Sequence, residues 1–390
     1  MRNPILRNPA MPVTRCDIFC KVIDNYGDIG VCWRLARQLA VEHGLVVRLW
    51  VDDLASFQHL APTLDPHAGS QMLDGVRVCH WNEDTARTTP ADIVIEAFAC
   101  DPPEAYVHAM ANRDSKPAWI NLEYLSAEGW VEGSHALPSP HPRLPLVKHF
   151  FFPGFTAQTG GLIREAGLVE RVQDFRQNAA AQTAFWQRIA RITPPAQAVK
   201  VSLFSYENSA IPGLLDAWAE STRDIFCAVT TGRHLAQLRA WLEARGPRGT
   251  GRLSLAFLPF LSQADYDLLL AACDLNFVRG EDSFVRAQWA ARPLVWHIYR
   301  QEDDYQRVKL GAFLNRYTAT LTPAASSALQ ALWHAWEAGG NAGEHWPALL
   351  AALPELQAHA LFWQENLVSQ GDLAAKLLIF CQNLLECRAL

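Results

Sequence analysis

The stretch 17-DIFCKVIDNYGDIGVCWRLARQLAVE-42 decides the fold. Residues 17–23 are mostly apolar and read as a strand. Residues 31–42 repeat Val31, Leu35 and Leu39 on one face and read as a helix. Between them lies 24-DNYGDIG-30, where a dinucleotide-binding domain keeps its phosphate loop. Only Gly27 and Gly30 are present, a GxxG without the full GxGxxG fingerprint. The loop also carries two carboxylates, Asp24 and Asp28. A helix N-terminus attracts anions through its free N–H groups and dipole, and two fixed negative charges oppose that. The turn therefore suits a neutral or cationic ligand. The plainer alternative is an ordinary strand-to-helix turn with Asp28 as the helix N-cap.

Working outward, residues 45–51, 76–80, 93–97 and 118–122 read as further strands. Strands alternating with helical segments give an α/β, doubly wound parallel sheet. Residues 137–145, LPSPHPRLP, are too rich in proline to be expected in regular structure. The strand–helix alternation begins again at residue 199. Strands are expected at 199–204, 224–230, 252–258, 274–278 and 294–298, with helices at 212–221, 233–245, 263–273 and 284–291. The expected division is a first Rossmann-like domain at 1–155, an interdomain region at 156–198, a second such domain at 199–365 and a C-terminal helix at 366–390. That last helix is expected to pack back on the first domain. Two sheets of this kind place a cleft between them.

The bulk numbers bound the function. The chain has 390 residues, 50% hydrophobic and 19% charged, with a net charge of −6. That composition is globular, and an acidic balance disfavours non-specific nucleic-acid binding. The nine cysteines include no CxxC. Cys16 and Cys20 have no matching Cys/His pair nearby, so reduced thiols of a cytoplasmic protein are expected rather than a zinc site. The apolar runs are shorter than the roughly 18–20 residues a membrane span needs. The first residues, MRNPILRNPAMP, lack the long apolar region of a secretion signal, and Met11 is an alternative start.

A second constellation is Arg279-Gly280-Glu281-Asp282-Ser283, at the C-terminal edge of a strand and before a helix. Ligands of doubly wound sheets bind at that edge. Arg279 offers a forked donor to phosphate, Gly280 allows close backbone approach, and Ser283 suits an N-cap. Glu281 and Asp282 can accept bonds from sugar hydroxyls. The alternative is a capped helix with surface charges. Phe260 and Gln263, after the strand at 252–258, can stack on and hydrogen-bond a nucleobase; Phe204-Ser205-Tyr206 ends another strand at the same edge. Asp265-Tyr266-Asp267 has the spacing of a metal-binding DxD, but acids in a first helical turn complement the dipole instead. Glu302-Asp303-Asp304 reads as a solvated loop or helix start.

At these residues the chain resembles a known family. The run from Asp24 to Ala36 and the run Arg279–Ser283 are similar to the signatures of EarP, protein-arginine rhamnosyltransferases that modify bacterial elongation factor P. The resemblance implies a GT-B fold of two facing Rossmann-like domains. It implies inverting, metal-independent transfer of L-rhamnose from dTDP-β-L-rhamnose to one arginine of elongation factor P, which relieves ribosome stalling at proline runs. No cofactor is expected beyond the donor substrate. It makes Asp24, Asp28 and Glu281 the essential acids. Asn25, Tyr26, Gly27, Tyr206, Phe260, Gln263 and Arg279 to Ser283 would form the donor pocket.

Charge constrains the mechanism. A guanidinium has a pKa above about 12 and a carboxylate one near 4, a gap worth about 11–12 kcal/mol. A carboxylate cannot strip such a group before reaction. Two carboxylates can grip its fork and aim one nitrogen at the anomeric carbon. As the C–N bond forms, that nitrogen acidifies and a carboxylate can take its proton. Asp28 is the expected base and Asp24 the orienting partner, although the residues alone leave their order open. Rival readings are a GT-B transferase with a small-molecule acceptor, a nicotinamide-dependent oxidoreductase and a non-catalytic nucleotide-sugar binder.

Overall fold

The computed structural model describes residues 14–23, 26–82, 85, 87–246, 249–299 and 305–387. Asp24, Asn25 and Glu302-Asp303-Asp304 lie outside the described residues, as does the alternative start at Met11.

In the first domain, β1 (Arg15–Cys20), β2 (Val46–Val51), β3 (Ser70–Leu73), β4 (Val76–His80), β5 (Ile93–Ala97), β6 (Ala118–Leu122), β7 (Pro138–Pro140) and β8 (Val147–Phe151) form one sheet. Its order is β3-β4-β2-β1-β5-β6-β8-β7, parallel except for the two edge strands β3 and β7. After Arg15 every residue of β1 is buried, and all of β5 and β6 are. Such continuous burial belongs to a sheet covered on both faces. The connecting helices are α1 (Gly27–Val41), α2 (Leu54–Leu60), α3 (Glu104–Ala111) and α4 (Trp130–Ser134).

The proline-rich stretch departs from expectation, because Pro138–Pro140 pairs antiparallel with β8. An edge strand tolerates prolines whose missing N–H groups would face outward. The bonds from Ala136 N–H to Phe150 and from His141 N–H to Leu146 flank the pairing.

In the second domain, β9 (Val199–Leu203), β10 (Ile225–Val229), β11 (Leu253–Phe257), β12 (Leu275–Arg279) and β13 (Leu294–His297) form an all-parallel sheet in the order β11-β10-β9-β12-β13. Its helices are α7 (Ile211–Ala219), α8 (Leu235–Arg245), α9 (Gln263–Ala272), α10 (Asp282–Trp289), α11 (Tyr305–Tyr317) and α12 (Pro323–Glu337). The connecting pair α5 (Leu168–Gln177) and α6 (Ala179–Ala190) also sits on this domain, with Trp186 edge-on to Phe226 of β10 at 5.3 Å. Trp218, Trp289, Trp333, Trp336 and Trp346 are fully buried.

Two last helices tie the domains together. The 24-residue α13 (Trp346–Ser369) hydrogen-bonds Trp363 Nε1 to Gln288 of α10 at 2.7 Å. The chain then returns to the first domain: Leu373 N–H donates to Leu162 at 3.1 Å, and α14 (Leu373–Glu386) places Phe380 against His149 and Phe151 of β8. In each sheet the strand order reverses beside the first strand, between β1 and β5 and between β9 and β12. These are the points where doubly wound sheets bind ligands, and here the two face each other across the cleft.

Candidate active site

On the first-domain side, α1 starts at Gly27, four residues earlier than the apolar periodicity predicts, with Tyr26 at the N-cap position. Both glycines are helical rather than part of a loop. Gly30 allows a close approach there: a Cβ would come within 3.3 Å of the Asp282 carboxylate, which would have to shift slightly. Asp28 does not cap the helix. It lies in the first turn, buried, and its Oδ2 accepts the Ile23 N–H at 2.9 Å while Oδ1 accepts the Tyr124 hydroxyl at 3.3 Å. Tyr124 stacks on Phe98 at 4.3 Å. Burial, followed by the nearby Asp28 and Glu281 charges, raises its phenol far above the ordinary value, which keeps the proton it donates.

On the second-domain side, β12 delivers Arg279 to the cleft. Its guanidinium lies over the rings of Phe204 and Tyr206, 4.5 and 4.6 Å from their centres. It makes no ion pair with a carboxylate among the described residues. Gly280 takes φ +59°, a left-handed conformation that favours glycine, and so turns the chain into α10. Ser283 is not the N-cap; Glu281 holds that position. The Ser283 hydroxyl instead bonds back to Arg279, accepting its N–H at 3.0 Å and donating to its carbonyl. That leaves the first amides of α10 to other partners.

Glu281 and Asp28 meet through one loop. The N–H of Leu125 donates to Glu281 Oε2 at 3.1 Å, next in sequence to the tyrosine that bonds Asp28. Burial pushes the Glu281 carboxyl up to about 8; the Leu125 bond and Lys309 oppose the shift, and Asp28 and Asp282 add to it. The Lys309 ammonium sits over Tyr124 and Tyr305, 5.7 and 5.9 Å from their centres.

The remaining expected residues divide. Tyr26, Gly27, Phe260, Gln263 and Arg279 to Ser283 line one cleft, together with Arg34, Leu60, Thr230, Thr231 and Tyr266. Phe260 is half exposed and meets Tyr26 edge-on at 5.5 Å across the domain boundary. Tyr206 is not among the residues lining that cleft; it meets the Arg279 guanidinium with its ring. The Gln263 amide is engaged between the domains, donating to Gly30 O at 3.2 Å and accepting from Arg37 at 3.1 Å. Asp282 accepts from Arg34 Nε at 2.8 Å, so its carboxylate is already committed to a side chain. The DxD acids are also engaged: Asp265 takes a two-pronged grip from Arg188, and Asp267 is gripped by Arg34 and Arg286. Asp24 and Asn25 lie outside the described residues.

Sequence reasoning missed Tyr124, Leu125 and Arg34. The first two come one residue past the end of β6, a strand readable from the sequence, and residues after a strand's C-terminal end are where such sheets place their sites. Arg34 stands beside Leu35 on a helix with little polar surface, a signal that a charge there needs a buried partner.

Comparison with known proteins identifies the family. The family model described as "Elongation-Factor P (EF-P) rhamnosyltransferase EarP" matches residues 16–382. A protein-arginine rhamnosyltransferase of Pseudomonas putida is 50% identical over 94% of this chain and 98% of its own. Its counterpart in Pseudomonas aeruginosa is 48% identical over 93% and 98%. A solved structure described as the structural basis for EarP-mediated arginine glycosylation of translation elongation factor EF-P superimposes with a TM-score of 0.66, at 38% identity over 95% of this chain and 99% of that one. The spinosyn rhamnosyltransferase SpnG, only 10% identical with a TM-score of 0.51, shares the fold alone. The two facing sheets are thus a GT-B glycosyltransferase fold, and the chain belongs to the EarP family of protein-arginine rhamnosyltransferases.

Proposed function

We propose that this enzyme moves L-rhamnose from dTDP-β-L-rhamnose to the guanidinium of one arginine of elongation factor P, with inversion at the anomeric carbon and without a metal, in the cytoplasm. The observation that carries the reading is the meeting of carboxyl groups from both domains beside an arginine that no carboxylate neutralises among the described residues. Asp28 and Glu281 come from different domains and are bonded by the adjacent residues Tyr124 and Leu125, while Arg279 makes no ion pair among the described residues.

Arg279 and the first amides of α10 face the leaving diphosphate and offset its charge. Phe260, at the cleft mouth, offers a face to the nucleobase. The acceptor guanidinium enters on the acidic side, where Asp24 orients it. One of its nitrogens attacks the anomeric carbon as the bond to the diphosphate oxygen breaks. Asp28 takes the proton which that nitrogen loses. Its bonds from Ile23 and Tyr124 hold the carboxylate in place for this transfer. Glu281 stabilises the positive charge that grows on the sugar ring.

The test is Asp28→Asn in full-length enzyme, incubated with dTDP-rhamnose and elongation factor P and read as the mass gain on the acceptor. Removing a general base costs about 10²–10⁴-fold in rate. Turnover within a few-fold of the parent, in a folded variant, would show that Asp28 is not the base.

A further inference from the structure

Arg34 is 2% exposed and comes from α1, the helix that also carries Asp28. Its guanidinium meets acids from three other segments. Nε donates to Asp282 Oδ1 at 2.8 Å, Nη1 to Glu165 at 3.2 Å and to Asp267 at 3.2 Å, and Nη2 to Asp267 at 3.1 Å. Arg286 of α10 closes the group from the far side, reaching Glu165 at 2.6 Å and Asp267 at 2.9 and 2.6 Å. First domain, connecting segment and second domain therefore converge on one cluster of two cations and three carboxylates. Burial alone would raise the Glu165 carboxyl, but Arg286 and Arg34 outweigh it and hold it down to about 2.

An exposed ion pair between domains contributes little. A buried one is demanding: its geometry has to satisfy every member, and removing one strands the others. The contacts beside it add to that demand. Asp282 rests against the backbone of α1 at Gly30, and Gln263 bonds Gly30 O. Asp282 is the next residue after Glu281, and the Glu281 carbonyl accepts the Val285 N–H within the first turn of α10. Any slip of α10 against α1 is therefore a slip of Glu281 against Asp28.

We propose that Arg34 is a positioning residue for the transfer reaction: clamped by Glu165, Asp267 and Asp282, it sets the distance at which the Arg279–Ser283 loop faces the acidic turn. The inference rests on the roles given above to Asp28 and Glu281. Misplacement by about 1 Å can cost about 10²-fold in rate.

The experiment compares the parent with Arg34→Lys, Asp267→Asn and the double variant, all full length. Arg34 has an edge on the donor cleft, whereas Asp267 does not line it, so Asp267→Asn loosens the clamp without changing a residue of the donor pocket and decides the question of dTDP affinity. Steady-state transfer from dTDP-rhamnose to elongation factor P gives kcat and both KM values, and calorimetry gives dTDP affinity. Each single variant is expected to lose about 10- to 100-fold in kcat, with dTDP affinity and both KM values within about three-fold. The double variant is expected to lose no more than about the worse single one, since both act through one contact. Folded single variants with kcat within three-fold of the parent overturn the proposal. So does a loss that appears mainly as ten-fold weaker dTDP binding, or a double variant whose losses multiply. If Arg34→Lys fails to fold, Asp267→Asn decides by the same split. A parent that shows no transfer with these substrates would refute the function proposed above instead.

Discussion

Glu281 shows how a single side chain can report the state of the cleft. Its carboxyl, pushed up to about 8 by burial, favours the protonated form at neutral pH before acceptor binds. An arriving guanidinium favours the ionised form. Acceptor binding near pH 7 should therefore release a proton, and the release should vanish near pH 9, where Glu281 has already ionised. Calorimetric titration of acceptor in two buffers of different ionisation enthalpy measures it, and an unchanged proton count in Glu281→Gln would refute the assignment. The same elevation makes the folded protein bind this proton more tightly than the unfolded chain does. Its contribution to stability is full below the unfolded value and is lost as pH rises through about 8. Residues at this scale were legible where they end strands: Arg279 to Ser283 stood out because charge, glycine and serine crowd one sheet edge. The partners of Asp28 and Glu281 were not legible, because Tyr124 and Leu125 lie about a hundred positions from one acid and far before the other.

Among the elements, α1 is the instructive case. Its apolar period was readable, but its start was not, since glycine is a poor helix former and two of them suggested a loop. Tertiary contact opposes propensity here: a Cβ at position 30 would sit tightly against Asp282. Gly30→Ala sets the two effects against each other. Alanine gains about 1 kcal/mol of helix propensity, while its methyl pushes on Asp282. The expected outcome is a melting temperature equal to or above that of the parent with transfer reduced several-fold; full activity would show that the close approach is not needed. Ser283 taught a related lesson. Its type suits an N-cap, but its hydroxyl turns back to Arg279 and helps hold that residue's backbone at the cleft.

At the level of the whole molecule, two doubly wound sheets were legible from alternating strand and helix signals, because parallel strands buried on both faces leave continuous apolar runs. The strands at 138–140 and 147–151 escaped notice, the first because proline argues against a strand anywhere except an edge. How the halves meet could not be read either: the Arg34 cluster draws on residues 34, 165, 267, 282 and 286, and no local pattern links them. The edge strand β7 carries a consequence for colloidal behaviour. A sheet margin is a template on which other copies can add strands, and proteins blunt it to avoid aggregation. Pro138 and Pro140, both exposed, have no N–H to offer a newcomer at that margin. Replacing both with threonine should leave transfer intact but raise light scattering on storage at high concentration. Scattering equal to the parent's would mean that the sheet is guarded by something other than these two rings.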